Sequence, residues 1–168
     1  MIKKMKTKPR GFTLIEILVV VAIIGILATI VIVALSQTTD KARDVRRKAE
    51  LSQIGNLISG GGCYTPTAGA GDYDIMDLVP ELKAKYPQYA GAFDNIPHDP
   101  KSATATETKY RYIVDASGKC AVYANYENAS EPVTLPGITV PTPGGGTGVF
   151  VEAAAGWNGS NRFYQVSN

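Results

Sequence analysis

The sequence is poor in the groups that catalysis draws on. Its 168 residues include one histidine, His98. That residue stands beside a single acid in Ile96-Pro97-His98-Asp99-Pro100, a turn-forming run. One His next to one Asp reads as a surface turn rather than a catalytic dyad. No Ser/His/Asp set, His-x-x-His cluster or paired-carboxylate motif stands out. Gly60-Gly61-Gly62 is followed by no Gly-Lys-Ser/Thr, so it is no phosphate loop. The two cysteines, Cys63 and Cys120, lack C-x-x-C spacing, which argues against redox catalysis and structural zinc. The chain therefore reads as a non-enzyme with no cofactor and no metal.

Charge is also missing over a long stretch. Ile17 to Leu35 holds 19 residues without a charge or a proline, and as a helix it spans roughly 28 Å, about the thickness of a bilayer's hydrocarbon core. Fourteen of those residues are Ile, Leu or Val, worth together about 4–8 kcal/mol of insertion free energy. That offsets the acid at the edge of the run, Glu16, which costs about 3 kcal/mol at mid-membrane and less near an end. A plain anchor gains nothing from such a carboxylate. A signal peptide cut after Ala34-Leu35-Ser36 is the bland alternative, but the apolar run is longer than such peptides use. Neither bland reading accounts for Gly11 before Phe12 or for Glu16.

The leader, Met1 to Gly11, contains Lys3, Lys4, Lys6, Lys8 and Arg10 and no acid. The whole chain has 17 basic and 15 acidic residues, a formal charge of +2. Without the leader 12 basic residues face 15 acids, and the charge becomes −3. The basicity belongs to targeting, and no nucleic-acid contact is inferred from it. Lys41, Arg43, Arg46, Arg47 and Lys48 equal the leader's five cations on the other flank, so charge alone does not orient the chain.

Gly11-Phe12-Thr13-Leu14-Ile15-Glu16, with a basic leader before it and the apolar helix after it, resembles the N-terminus of type IV prepilins and type II secretion pseudopilins. The resemblance implies cleavage by a prepilin peptidase between Gly11 and Phe12, N-methylation of Phe12, and a pairing of Glu16 with the terminal amine of a neighbouring subunit. It implies a bacterial inner-membrane, single-pass subunit with its leader inside and its head outside. That subunit then enters a cell-surface or periplasmic filament, a fimbrium or a pseudopilus, with itself or minor pilins. An inner-membrane assembly platform and its ATPase are the further partners. Type IV pilus and secretion pseudopilus share this leader and helix. The alternative is a monomeric, membrane-anchored binding or enzymatic domain outside the cytoplasm that bears a prepilin-like leader.

The expected fold is α+β and pilin-like, a long N-terminal helix whose first half is transmembrane, packed on a small antiparallel sheet. The expected divisions are the leader 1–11, an assembly helix 12–35, its amphipathic continuation 36–59 and a head 60–168. Asp40/Arg43, Asp44/Arg47 and Asp44/Lys48 stand at i,i+3 or i,i+4 and read as a solvated helical face. Ala42, Val45 and Ala49 form a thin apolar stripe, and Leu51, Ile54, Leu57 and Ile58 form a stronger one that seats the head's sheet. Cys63 to Asp72 reads as a loop. Asp74 to Tyr86 reads as short helical turns with Pro80 near their start, and Tyr86, Tyr89 and Phe93 as core or packing residues. Thr108–Val114 and Lys119–Tyr126 alternate about an Asp-Ala-Ser-Gly turn and predict a hairpin.

Asp99-Pro100, Tyr110-x-Tyr112, the turn and Tyr123-x-x-x-Glu127 resemble the heads of major, G-type pseudopilins, although no Trp-Gly follows Pro100. Those relatives hold calcium in C-terminal loops. Here the residues after Glu131 offer only Glu152 and neutral oxygens, against the 6–8 ligands calcium takes, so no calcium site is assigned. Glu131 to Gly148 is rich in Pro and Gly and reads as an irregular surface loop, with strands at 149–151 and 162–166. Asn128-Ala129-Ser130 and Asn158-Gly159-Ser160 match the N-glycosylation pattern. Cys63 and Cys120 pair as one disulfide in an exported head, or remain two buried thiols.

Overall fold

The computed structural model describes residues 11–59 and 62–167. The leader as far as Arg10, and Gly60 and Gly61 of the glycine triplet, lie outside the described residues. The chain divides into two compact units, Met1–Thr38 and Thr39–Asn168, and one helix, α1 (Leu14–Ser59), contributes to both.

In the first unit α1 is apolar along most of its length. No proline interrupts the ladder, and Thr29 turns its hydroxyl back to donate to the Ile26 carbonyl at 2.7 Å. All the described side chains from Leu14 to Leu35 are exposed. Among the described residues α1 is the helix long and apolar enough to cross a membrane.

The second unit is built on a five-stranded antiparallel sheet of order β1-β2-β3-β5-β4. Its strands are β1 (Gly71–Asp74), β2 (Arg111–Val114), β3 (Cys120–Asn125), β4 (Gly148–Val151) and β5 (Arg162–Ser167). The expected hairpin is β2–β3, in register from Arg111 opposite Tyr123 to Val114 opposite Cys120. Its turn closes because the Asp115 carboxylate accepts from the Ser117 and Lys119 amides at 2.9 Å each, while Gly118 takes φ +79°.

Strand alternation divides the core in two. Tyr112, Val114, Cys120, Val122, Ala124, Val149 and Tyr164 face α1, where they meet Leu51, Ile54 and Ile58, all 2% exposed or less. The stronger stripe on α1 is thus the seat of the sheet, with Leu57 half-buried beside it. Gly55 allows the approach: a Cβ there would lie 2.9 Å from Val166 Cγ1. On the far face Tyr123, Phe150 and Phe163 form a second cluster, covered by Leu135 and Ile138 of the Pro-rich segment. Coverage on both faces explains why all six residues of β3 are buried.

The structure departs from the sequence reading in several places. Gly71–Asp74, placed in a loop and at the start of a helix, forms edge strand β1. The helical turns are a full helix, α2 (Ile75–Lys85), capped by Asp74, so that Pro80 lies inside it rather than near its start. Asp74 is buried and also accepts from the Thr108 amide at 3.0 Å, the Thr108 hydroxyl at 2.8 Å and the Lys109 amide at 2.9 Å. A 3-10 turn (Pro87–Tyr89) and a single helical turn, α3 (Ala90–Phe93), follow. Phe93 is core, but Tyr89 is half exposed.

Candidate assembly site

The N-terminal residues carry their own local geometry. Thr13 caps α1: its hydroxyl accepts from the Glu16 amide at 3.3 Å, and Glu16 Oε2 accepts from the Thr13 amide and hydroxyl, each at 2.8 Å. This is a reciprocal capping box, which satisfies amides that a helix start leaves without partners. Its signal, Thr13-x-x-Glu16, is legible in the sequence. Phe12 is 83% exposed directly before the cap. Among the described residues, both donors to Glu16 fall on Oε2, and Oε1 accepts none.

The second unit holds a buried charge cluster, and here the sequence reading is corrected. Asp44 and Arg47 do not belong to a solvated face: Arg47 is 0% and Asp44 3% exposed. Arg47 clasps Asp99 in bidentate fashion, Nε to Oδ2 at 2.7 Å and Nη2 to Oδ1 at 3.0 Å. Its Nη1 reaches Asp44 at 2.7 Å and Glu127 at 2.8 Å. Arg43 adds a second fork onto Glu127, at 2.6 and 2.7 Å, and pairs with Asp40 at 2.6 Å. Lys101 reaches Glu127 at 2.9 Å. Around Glu127, three cations therefore meet Asp44, Asp99 and Glu127, and the inner cluster is neutral. Lys48 does not pair with Asp44; its ammonium stands 5.5 Å above the Tyr164 ring.

Backbone amides complete the cluster. Asp44 accepts from the amides of Glu127 and Asn128 at 3.0 and 2.9 Å, and Asp99 from those of Lys101 and Ser102 at 2.9 Å each. Burial opposes ionisation of Glu127, but its bonds from Arg43, Lys101 and Arg47 outweigh that cost and pull its pKa down to about 2. Burial likewise opposes the Asp99 charge, and Arg47 with its amide donors still lowers the pKa. Arg47 is held above its ordinary range by Asp99, Glu127 and Asp44 against the cost of burial. Asp99 is no surface acid beside His98, because it is 3% exposed and spent on Arg47.

Cys63 and Cys120 are bonded, with Cα atoms 5.6 Å apart across 57 positions of sequence. The bond ties the chain just after α1 to the first residue of β3. Tyr112 reinforces it by donating to the Tyr64 carbonyl at 2.6 Å. Asn158 of the second glycosylation match is 4% exposed and works inside the head, its amide nitrogen donating to Asp99 and to the Asn125 carbonyl. Among the described residues no group of three or more His, Cys, Asp or Glu is placed to hold a metal ion.

An exposed apolar helix with one capped carboxylate, continuing in sequence into a head locked onto charged α1 residues, describes a class of helix-anchored structural subunit. Residues 6–32 match a family model described as the prokaryotic N-terminal methylation motif. The chain is also 32% identical over 98 residues to the type II secretion system core protein G of Escherichia coli (strain K12), a match taking in 55% of this chain and 67% of that protein. No solved structure matches. The chain belongs to the pilin and pseudopilin family, whose members are structural rather than enzymatic.

Proposed function

We propose that this chain is a filament subunit cut between Gly11 and Phe12 by a prepilin peptidase, methylated on the new Phe12 amine, and polymerised through α1. The observation that carries the reading is Glu16. It is the only charged residue from Gly11 to Thr39, and its capping box occupies one carboxylate oxygen while the other accepts nothing from the described residues. A neighbouring subunit's Phe12 amine fits that oxygen. Paired, the two charges become tolerable among packed apolar helices, where stranding one of a buried pair costs about 3–5 kcal/mol. A subunit out of axial register leaves both unpaired, so the pair favours alignment as well as attraction.

The prepilin motif and the apolar helix fit an inner-membrane anchor, with the leader inside, the head outside, and an assembly platform and its ATPase as partners. Of the two filament types, a secretion pseudopilus is favoured by the similarity to core protein G. Mass spectrometry of the membrane-extracted chain should find an N-terminus at methylated Phe12. The Glu16→Leu chain should be expressed, inserted and cleaved, yet yield no filaments by electron microscopy or in sheared fractions. A mature terminus at Gln37, retention of Met1, or normal filaments from Glu16→Leu would overturn the reading.

A further inference from the structure

Within the second unit, one face of α1 sets an unpaired cation beside an uncovered apolar side chain. Val45 is 69% exposed. Lys41 stands one turn before it on the same face and is also exposed. Arg43, Arg46 and Arg47 each pair with an acid. Lys48 has its ammonium 5.5 Å from the Tyr164 ring. Lys41 is therefore the α1 cation left without a partner among the described residues.

The head carries the chemical complement. A hollow of about 570 Å3 is walled by Val133, Ile138 and Val140 of the Pro-rich segment and by Val151 of β4, and Glu152 is the single charged residue lining it. Burial and the nearby Asp72 charge push the Glu152 pKa up, and no cation or hydrogen bond from the described residues offsets them. The wall is already formed. Gln165, fully buried, accepts from the Thr142 amide at 3.0 Å and donates to the carbonyls of Thr142 and Gly146 at 3.2 and 2.9 Å. The amides of Thr134 and Leu135 donate to the Val149 carbonyl at 3.0 and 2.9 Å. A surface held this way loses little freedom on docking.

The two surfaces do not meet within one copy, since α1 seats on one face of the sheet, the Pro-rich segment covers the other, and Lys41 and Val45 stay exposed. An apolar side chain one turn from a cation suits an apolar hollow that holds one acid, and neither charge is then stranded. We propose that Lys41 and Val45 of one copy dock in the hollow of the next, with Val45 against Ile138 and Val140 and the Lys41 ammonium on the Glu152 carboxylate. The apolar contact supplies attraction, and the charge pair, modest in itself, fixes partner and register. Because the two patches differ, the contact is heterologous and leaves each added copy with an open hollow or an open helix face, which propagates a chain of heads. The contact rests on the reading of the protein as a polymer subunit and gives that polymer a second charge pair, remote in sequence from Glu16.

The test uses the full-length chain in cells that assemble it. Lys41→Glu and Glu152→Lys should each lower the yield of sheared filaments several-fold at an unchanged membrane level of the subunit, and the two together should restore it. Damage confined to the fold of the head would not be repaired by the second reversal. With Val45→Cys and Val140→Cys in one chain, mild oxidation should give a covalent ladder on non-reducing electrophoresis. A mixture of the two single variants should stop at dimers, and neither single variant should cross-link alone. Should a charge reversal fail to accumulate, the cysteine ladder alone decides. Full filament yield from either reversal, no recovery in the doubly reversed chain, or dimers from Val45→Cys alone would overturn the proposal. Filaments without a ladder would overturn this contact and leave the polymer reading standing. An unsubstituted chain without filaments, together with no ladder, would overturn both.

Discussion

The two parts of α1 invert the usual rule of inside and outside. From Leu14 to Leu35 the described residues are almost all apolar and all exposed. From Asp40 on the helix is charged, and two of those charges are buried, with Asp44 at 3% and Arg47 at 0% exposure. The first part is written for surroundings that lie outside a single chain, such as lipid or the helices of other copies. The second is complete within one chain, each buried charge meeting its partners there. Composition reads the destination of the first part correctly and mistakes that of the second, where Asp44 and Arg47 are buried.

Removing Arg47 should break this contrast most severely. Arg47→Met keeps much of the side chain's volume but leaves Asp44, Asp99 and Glu127 without their shared guanidinium, and loss of one partner of a buried pair costs about 3–5 kcal/mol. Denaturant titration of the detergent-solubilised full chain should show the head unfolding early while the membrane helix remains helical. If the head unfolds where the unsubstituted protein does, the cluster does not hold it.

The disulfide is the next handle. Cys63→Ser with Cys120→Ser removes a bond closing 57 positions of sequence, and such losses cost about 2–4 kcal/mol. The midpoint of head unfolding should fall, and reductant should reproduce the shift in the unsubstituted chain but not in the double variant. A head equally stable without the bond would place its stability entirely in the packing of Leu51, Ile54 and Ile58 against the sheet.

Acid should give the smallest of the three effects. Glu127 titrates at about 2 in the folded head and near 4.3 in an unfolded chain. Its stabilisation is therefore complete above the unfolded value and is lost as pH falls from about 4.3 toward 2. The difference is roughly 2–3 kcal/mol. Asp99, also lowered, adds to the loss in the same direction. Stability measured against pH should fall through that window, and Glu127→Gln should flatten the fall.

Much of the fold is legible in the sequence because it is carried by local periodicity. Leu51, Ile54 and Ile58 recur at helical spacing, and Tyr110, Tyr112 and Val114 alternate toward a turn whose Asp and Gly announce it. What escapes is set by distant partners. Arg47 looks solvated because its neighbour in sequence is Asp44, whereas Asp99 and Glu127 lie 52 and 80 positions away. Both acids belong to the motifs that carry the resemblance to pseudopilin heads, so the signal was present without its destination. Strand β1 escapes because four residues after glycine-rich sequence hold too short an alternation. The segment 131–148 is irregular as read, but its covering of the far face depends on Gln165, which nothing local marks.

Asn158 adds a matter of durability. An asparagine followed by glycine is the dipeptide at which proteins age: the glycine nitrogen attacks the side-chain carbonyl, ammonia leaves, and water opens the ring to an acid. Here that nitrogen is engaged, since Gly159 donates to the Gly156 carbonyl at 3.0 Å, and the Asn158 carboxamide is fixed by its bonds to Asp99 and Asn125. Were the conversion to proceed, a fresh carboxylate would stand against Asp99 and the balanced cluster would gain an uncompensated negative charge. The bonds that hold Asn158 against Asp99 and Asn125 thus also slow the chemical clock of the buried cluster.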